Sequence, residues 1–377
     1  ASSSTFDDTW EYNYDDVGNP ITSVSSGTVA LSAGTASITT SNPYRYGIEG
    51  IWRNQSSYAY QVERKQTTPK TDISVDGTYN NFVLFNWQTD NTVADHATVY
   101  NNKWSFVNEV TRYSPYGYEL ENRDALDLYK SALYGYNNSV VTAVAANASY
   151  HEVAYDGFED YSGTYSTNGH GHLDLSYSGG SVTLSDDQAH TGNYSIPVAS
   201  GQTLTHASAF TINSGNIDSK ANQYFSVSTI NNPYEKYTVS AWFYKGTGGG
   251  TPVISATVAG ATVTPVSTTY SPKIDGWQKA DFTFSFSGTP SGGMTVTLGM
   301  GSDACYIDDI RIQPFRSAIT TYVYDPVTLW LLAELDNRNF ATFYNYDEEG
   351  TLVQVKKETE KGVSTIKTTR ANIKIAP

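Results

Sequence analysis

Three stretches of this chain are variations on one phrase. Tyr12-Asn13-Tyr14-Asp15-Asp16-Val17-Gly18-Asn19-Pro20-Ile21 near the start matches Tyr344-Asn345-Tyr346-Asp347-Glu348-Glu349-Gly350-Thr351-Leu352 near the end. Tyr322-Val323-Tyr324-Asp325 is a third copy that lacks the glycine. The common form, Tyr-x-Tyr-Asp-x-x-Gly-x-Leu/Ile, encodes strand, turn and strand. Tyrosines two apart share a strand face, Asp opens the turn, and Gly supplies the left-handed residue that closes it. A lone hairpin is marginal in water, so residues 11–21 and 322–355 are expected to join one β-structure.

The 377 residues suffice for two or three domains. Thr, Ser, Val and 30 tyrosines favour strands. A net charge of −15 argues against nucleic acid and anionic membrane surfaces as partners. Cys305 is the lone cysteine and has no internal disulfide partner. No apolar run approaches the ~20 residues of a transmembrane segment. The chain begins at Ala1 without Met, and we expect the C-terminal portion of a longer exported protein or a processed mature chain.

The expected class is mainly β, with a β-scaffold, an inserted jelly-roll β-sandwich and a short helical segment. Residues 1–103 read as scaffold strands. Residues 104–152 read as a mixed connector with short helices, because Ala125–Tyr136 and the alanine-rich Val140–Tyr150 favour helix. Residues 153–316 hold many short strands between Gly/Ser/Thr turns, including Tyr237–Tyr244 and Met294–Gly299, which points to the sandwich. Residues 317–377 carry the C-terminal hairpins.

Two resemblances sharpen this. The tyrosine motif resembles the RHS/YD repeat, and Tyr113–Leu126, Ala145–Ala148, Asp156–Tyr161 and Ala333–Tyr344 resemble the C-terminal region of large exported RHS-like proteins of Bacteroidota. Residues 153–316 resemble galactose-binding-like carbohydrate-binding modules. Gly157-Phe158-Glu159 matches the opening strand, Ala189-His190-Thr191-Gly192-Asn193-Tyr194-Ser195 the Ala-His-Ser/Thr-Gly segment, Gly276-Trp277 the Gly-Trp pair, and Tyr306-Ile307-Asp308-Asp309-Ile310 the closing strand. This second resemblance implies a structural Ca²⁺, with carboxylates from Glu159 and Asp308 and carbonyl oxygens near His190 and Asn193. Asp187 and Asp309 are the substitutes. That set suits calcium's mixed oxygen shell; the competing reading makes the carboxylates ordinary turn and edge-strand residues.

For a glycan ligand, Tyr165, His170, His172 and Tyr177 lie in a Gly/Ser-rich region and are expected to be exposed, whereas Trp242 and Trp277 are expected in the core. His170-Gly171-His172 has no further ligand near it for a metal and reads as a surface loop. No Ser-His-Asp context, nucleophile elbow or phosphate loop is present. The expected function is therefore a non-enzymatic surface scaffold or adhesion protein, its module binding glycan or a surface protein. The alternatives are a structural subunit of a surface or type IX secretion or gliding assembly, and an accessory region of a polysaccharide-acting enzyme.

Overall fold

The computed structural model describes residues 54, 56–61, 76–78, 104–114, 116–161, 165, 170–178, 180–207, 236–245, 250–258, 261–285 and 294–369. The Tyr12–Ile21 copy and most of residues 1–103 lie outside these. The described chain is mainly β.

One ten-stranded antiparallel sheet forms the scaffold. Its strands are β1 (Ser56–Tyr60), β2 (Trp104–Tyr113), β3 (Glu119–Asp124), β4 (Tyr129–Gly135) and β5 (Val140–Ala146), then β17 (Ala318–Tyr324), β18 (Leu331–Leu335), β19 (Ala341–Tyr346), β20 (Leu352–Thr359) and β21 (Gly362–Thr368), paired in that order. Residues 104–152 are thus not a helical connector. Both stretches expected to be helical hold strands, β4 and β5, and among the segment's described residues there is one 3₁₀ turn, Tyr150–Glu152. Helix propensity lost to period-two burial: Ala143 and Ala145 are inward while Val144 and Ala146 are exposed, so alanine here lines the scaffold's inner face.

The hairpins share one turn that the sequence shows only in part. Asp347 Oδ1 accepts the N–H groups of Glu349 and Thr351 at 3.1 and 2.7 Å, and Gly350, at φ +81°, donates its N–H to the Asp347 carbonyl. The same hydrogen-bonded frame recurs at Asp124–Leu128, with Asp127 left-handed, and at Asp336–Phe340, with Asn339 left-handed. At Ser114–Tyr118 a serine hydroxyl replaces the carboxylate and Gly117 is left-handed. The copy without glycine has a turn one residue longer, closed by the Asp325 N–H to the Trp330 carbonyl, and places Leu329 at φ 56°.

A β-sandwich occupies the chain between β5 and β17. One sheet runs β13 (Pro265–Tyr270), β14 (Trp277–Ser285), β10 (Lys236–Tyr244), β16 (Cys305–Pro314) and β6 (Ala154–Asp156), with β8 (Ile196–Val198) also on β16. The other runs β12 (Ala261–Val263), β11 (Val253–Val258), β15 (Met294–Gly299), β9 (Leu204–Ala207) and β7 (Leu175–Tyr177). Phe158, Leu173, Ile196, Leu204, Phe243, Phe284, Val296 and Ile307 pack between the sheets with none of them more than marginally exposed. A second core, with Leu133, Ala145, Tyr155, Ile319, Val323, Ala333 and Leu335, seals sandwich to scaffold.

Candidate functional site

On the edge away from β10, strand β16 is unpaired at Asp308 and Asp309, between the residues that pair with β8 and those that pair with β6. Asp309 is left-handed there (φ 47°), and the β10 register shifts opposite it between Ser240 and Trp242, the behaviour of a β-bulge. The bulge aims both carboxylates at residues 190–191. Asp308 Oδ2 accepts the N–H groups of His190 (2.7 Å) and Thr191 (3.3 Å), and its Oδ1 accepts that of Asp309. Glu159 reaches the same segment from the opening loop, its Oε1 accepting the N–H groups of Asn193 (2.7 Å) and Tyr194 (2.6 Å). Gly192, at φ +62°, makes that approach feasible, because a Cβ there would fall 2.4 Å from Glu159 Cδ.

Glu159 and Asp308 therefore both close on residues 190–194, where Glu159 Oε1 and Asp308 Oδ2 are occupied as acceptors of backbone N–H groups. Among the described residues no three His, Cys, Asp or Glu side chains are arranged to hold a metal. Burial pushes Glu159 up to about 7 and, with Asp309 beside it, raises Asp308 well above the carboxylate range.

His190 is the cation of the cluster. Its Nδ1 lies 2.7 Å from Asp309 Oδ2, and its Nε2 lies 3.1 and 3.2 Å from the two oxygens of Glu358 on scaffold strand β20. The ring stacks on Trp242 at 4.0 Å. Burial disfavours its charge, yet Glu358 and Asp309 outweigh that and lift it to about 9. Glu358 also accepts the Ala341 N–H. The scaffold turn 336–340 completes the seam. Trp242 Nε1 donates to the Asn339 carbonyl at 2.8 Å, Lys279 to that of Arg338 at 2.6 Å, and Arg311 to those of Asp336 and Leu335. The Trp242 part of the outer face of the β10–β14–β16 sheet is thus closed by the chain itself.

The expected ligand tyrosines are not exposed. Tyr165 and Tyr177 belong to the sandwich core at 7% and 9% exposure. The Tyr165 hydroxyl accepts the Leu175 N–H, and the Tyr177 hydroxyl donates to the Pro197 carbonyl. His172 is 3% exposed, with Nδ1 2.9 Å from the Val153 carbonyl oxygen. His170 begins the short 3₁₀ segment His170–His172. The Gly/Ser content that suggested a surface loop instead lets the backbone run close to β6: a Cβ on Gly171 would collide with the Tyr155 carbonyl. Trp242 and Trp277 are buried, as the sequence suggested.

A cleft of about 680 Å³ opens where the ends of β8, β10 and β16 meet. Half-buried Tyr244 and Tyr306 stand on its wall with ring centroids 6.1 Å apart, beside Pro197. Buried Trp277 backs Tyr244 at 5.5 Å, and Gly276 (φ +90°) lies where any Cβ would strike the Tyr244 ring. Thr183, Gln202, Lys245 and Asp303 bring hydroxyl, amide, ammonium and carboxylate groups. Gln202 is braced by the Ala199 N–H, and Lys245 by the Gly250 carbonyl. Of the expected ligand residues, Tyr177 lines this cleft; the sequence did not single out Tyr306, Gln202, Lys245 or Asp303, because they sit at strand ends far apart in the chain.

No family model matches the chain, and no curated protein matches it. Solved structures do. The CBM22-1 xylan-binding domain of Paenibacillus barcinonensis Xyn10C is 14% identical over 42% of this chain and 92% of its own, with a TM-score of 0.28. The C-terminal family 22 carbohydrate-binding module of Clostridium thermocellum Xyn10B is 16% identical over 42% and 92%, with a TM-score of 0.22. TmCBM61, solved with β-1,4-galactotriose, is 13% identical over 42% and 94%, with a TM-score of 0.20.

Proposed function

We propose that this chain is a non-catalytic, glycan-binding protein whose sandwich takes a carbohydrate in the Tyr244–Tyr306 cleft. One observation carries the reading: two aromatic rings, rigidly backed by Trp277 and Gly276, share a cleft with carboxylate, amide, hydroxyl and ammonium groups. Rings stack on the C–H faces of a sugar, and the polar groups meet its hydroxyls. Pockets of this size and mixed lining are the usual small-ligand sites. The tyrosine-rich antiparallel scaffold supports an RHS/YD-like protein exported to a bacterial surface, of the kind found in Bacteroidota, with the module presented for adhesion.

A glycan array with the described chain, followed by titration of hits against Tyr244→Ala and Tyr306→Ala, tests this. Each substitution should weaken binding by about 2 kcal/mol, the usual loss for an aromatic anchor, with folding intact. A blank array, or hits insensitive to both substitutions, overturns the reading. The sealed seam at turn 336–340 favours a second reading, a structural subunit of a surface assembly without a glycan ligand, and a blank array selects it.

A further inference from the structure

The strand register makes the cleft wall more than a pair of nearby rings. Tyr244 on β10 is the cross-strand partner of Tyr306 on β16, and Tyr306 is the partner of Pro197 on β8. Directly opposed residues of antiparallel strands project to the same face. The three rings therefore form one row, running across three adjacent strands rather than along one. Trp277, the partner of Tyr244 on β14, continues the row inward and is buried. Neighbouring strands are about 4.8 Å apart. A pyranose and its linkage advance an extended glycan by nearly the same distance, so successive sugars of such a chain fall into step with successive strands.

The planes of Tyr244 and Tyr306 are set 66° apart. Two rings at that angle cannot both lie against a flat crystalline polysaccharide face. They can each meet one sugar of a single chain whose units turn relative to one another. The row also carries a polar contact, with the Tyr306 hydroxyl 3.4 Å from Asp187 Oδ2. Asp303 and Lys245 line the same cleft.

Resting on the glycan reading, we infer that the cleft binds a single soluble chain of extended linkage, laid perpendicular to the strands with consecutive sugars over Tyr244 and Tyr306 and the next towards Pro197. The ligand class is thus the interior or end of a linear, equatorially linked polysaccharide. Free monosaccharides, compactly coiled glucans and crystalline fibres are excluded.

Calorimetric titration of the described chain with β-1,4-linked gluco-, xylo- and galacto-oligosaccharides from one to five units, alongside pull-down on microcrystalline cellulose, tests the inference. In at least one series affinity should rise tenfold or more from one unit to three and then level off, with no retention on the crystalline solid. Tyr306→Ala should abolish the gain from the second unit. Tyr306→Phe, which keeps the ring and loses the contact with Asp187, should retain that gain and serves as the folding-neutral control. Binding that is independent of chain length, or retention on microcrystalline cellulose that Tyr244→Ala removes, overturns this inference and leaves the glycan reading standing. Absence of binding to every oligosaccharide and to the array overturns both.

Discussion

Replacing His190 by Asn removes the one cation between Asp309 and Glu358, and the structure fixes what that should do. The imidazole is buried, and its ordinary 6.5 is raised to about 9. A difference of that size corresponds to about 3 kcal/mol between the two protonation states. Because the folded value lies above the unfolded one, this stabilisation is complete below pH 6.5 and is lost as pH rises through 9. Chemical unfolding at pH 6 and pH 9.5 should show the native chain losing about 3 kcal/mol more than His190→Asn across that window. At pH 6 the variant should be destabilised by roughly 3–5 kcal/mol, the penalty for leaving buried carboxylates unpaired. Glu358→Gln should lower the His190 titration midpoint in imidazole NMR. Equal pH slopes for native and variant, or a native His190 that titrates below 7, would refute the clamp.

Chelation should leave the melting temperature unchanged, since residues 190–194 are held by N–H donation; a drop on adding EDTA, reversed by calcium, refutes the assignment. On the acid side, burial pushes His172 and His206 down to about 4. Both are buried as neutral rings, so their stabilising share is present above pH 6.5 and is lost as pH falls through 4; His172→Phe should flatten that acid limb in thermal melts, and an unaltered limb counts against the assignment. Leu329→Gly should stabilise the scaffold by about 1 kcal/mol by relieving its left-handed backbone. Gly350→Ala should destabilise it, because a Cβ there would fall 2.6 Å from the Trp330 ring; opposite signs in chemical denaturation would falsify the turn analysis.

The strands of the sandwich and the hairpin at Asp347 were legible because alternation and Asp-x-x-Gly are local signals. The full extent of the turn family was not. At Asp336 and Asp124 the left-handed position is filled by Asn339 and Asp127, and Ser114 replaces the aspartate elsewhere. The invariant is a hydrogen-bonding geometry that several residue types satisfy. Strand β5 was misread because alanine reports helix propensity, while its burial pattern depends on a sandwich supplied by later residues. In the polar cluster, the family resemblance grouped Glu159 and Asp308 with the backbone near His190. It did not show Glu358, 168 residues from His190, whose contact turns the cluster into a seam.

The site of insertion has a bearing on how the chain survives damage. Strands β5 and β17 are hydrogen-bonded neighbours, with Ala146 opposite Ala318 and Ala143 opposite Thr321, so the polypeptide leaves the scaffold and returns to it at adjacent ladder positions. The Tyr136 hydroxyl bonds both the N–H and the carbonyl of Tyr324, and the His190–Glu358 pair spans the same divide. A single proteolytic nick within the sandwich would sever the covalent path while leaving these bonds in place. The two fragments should travel together through a gel-filtration column and separate only in denaturant, making the molecule a natural candidate for split-fragment reassembly.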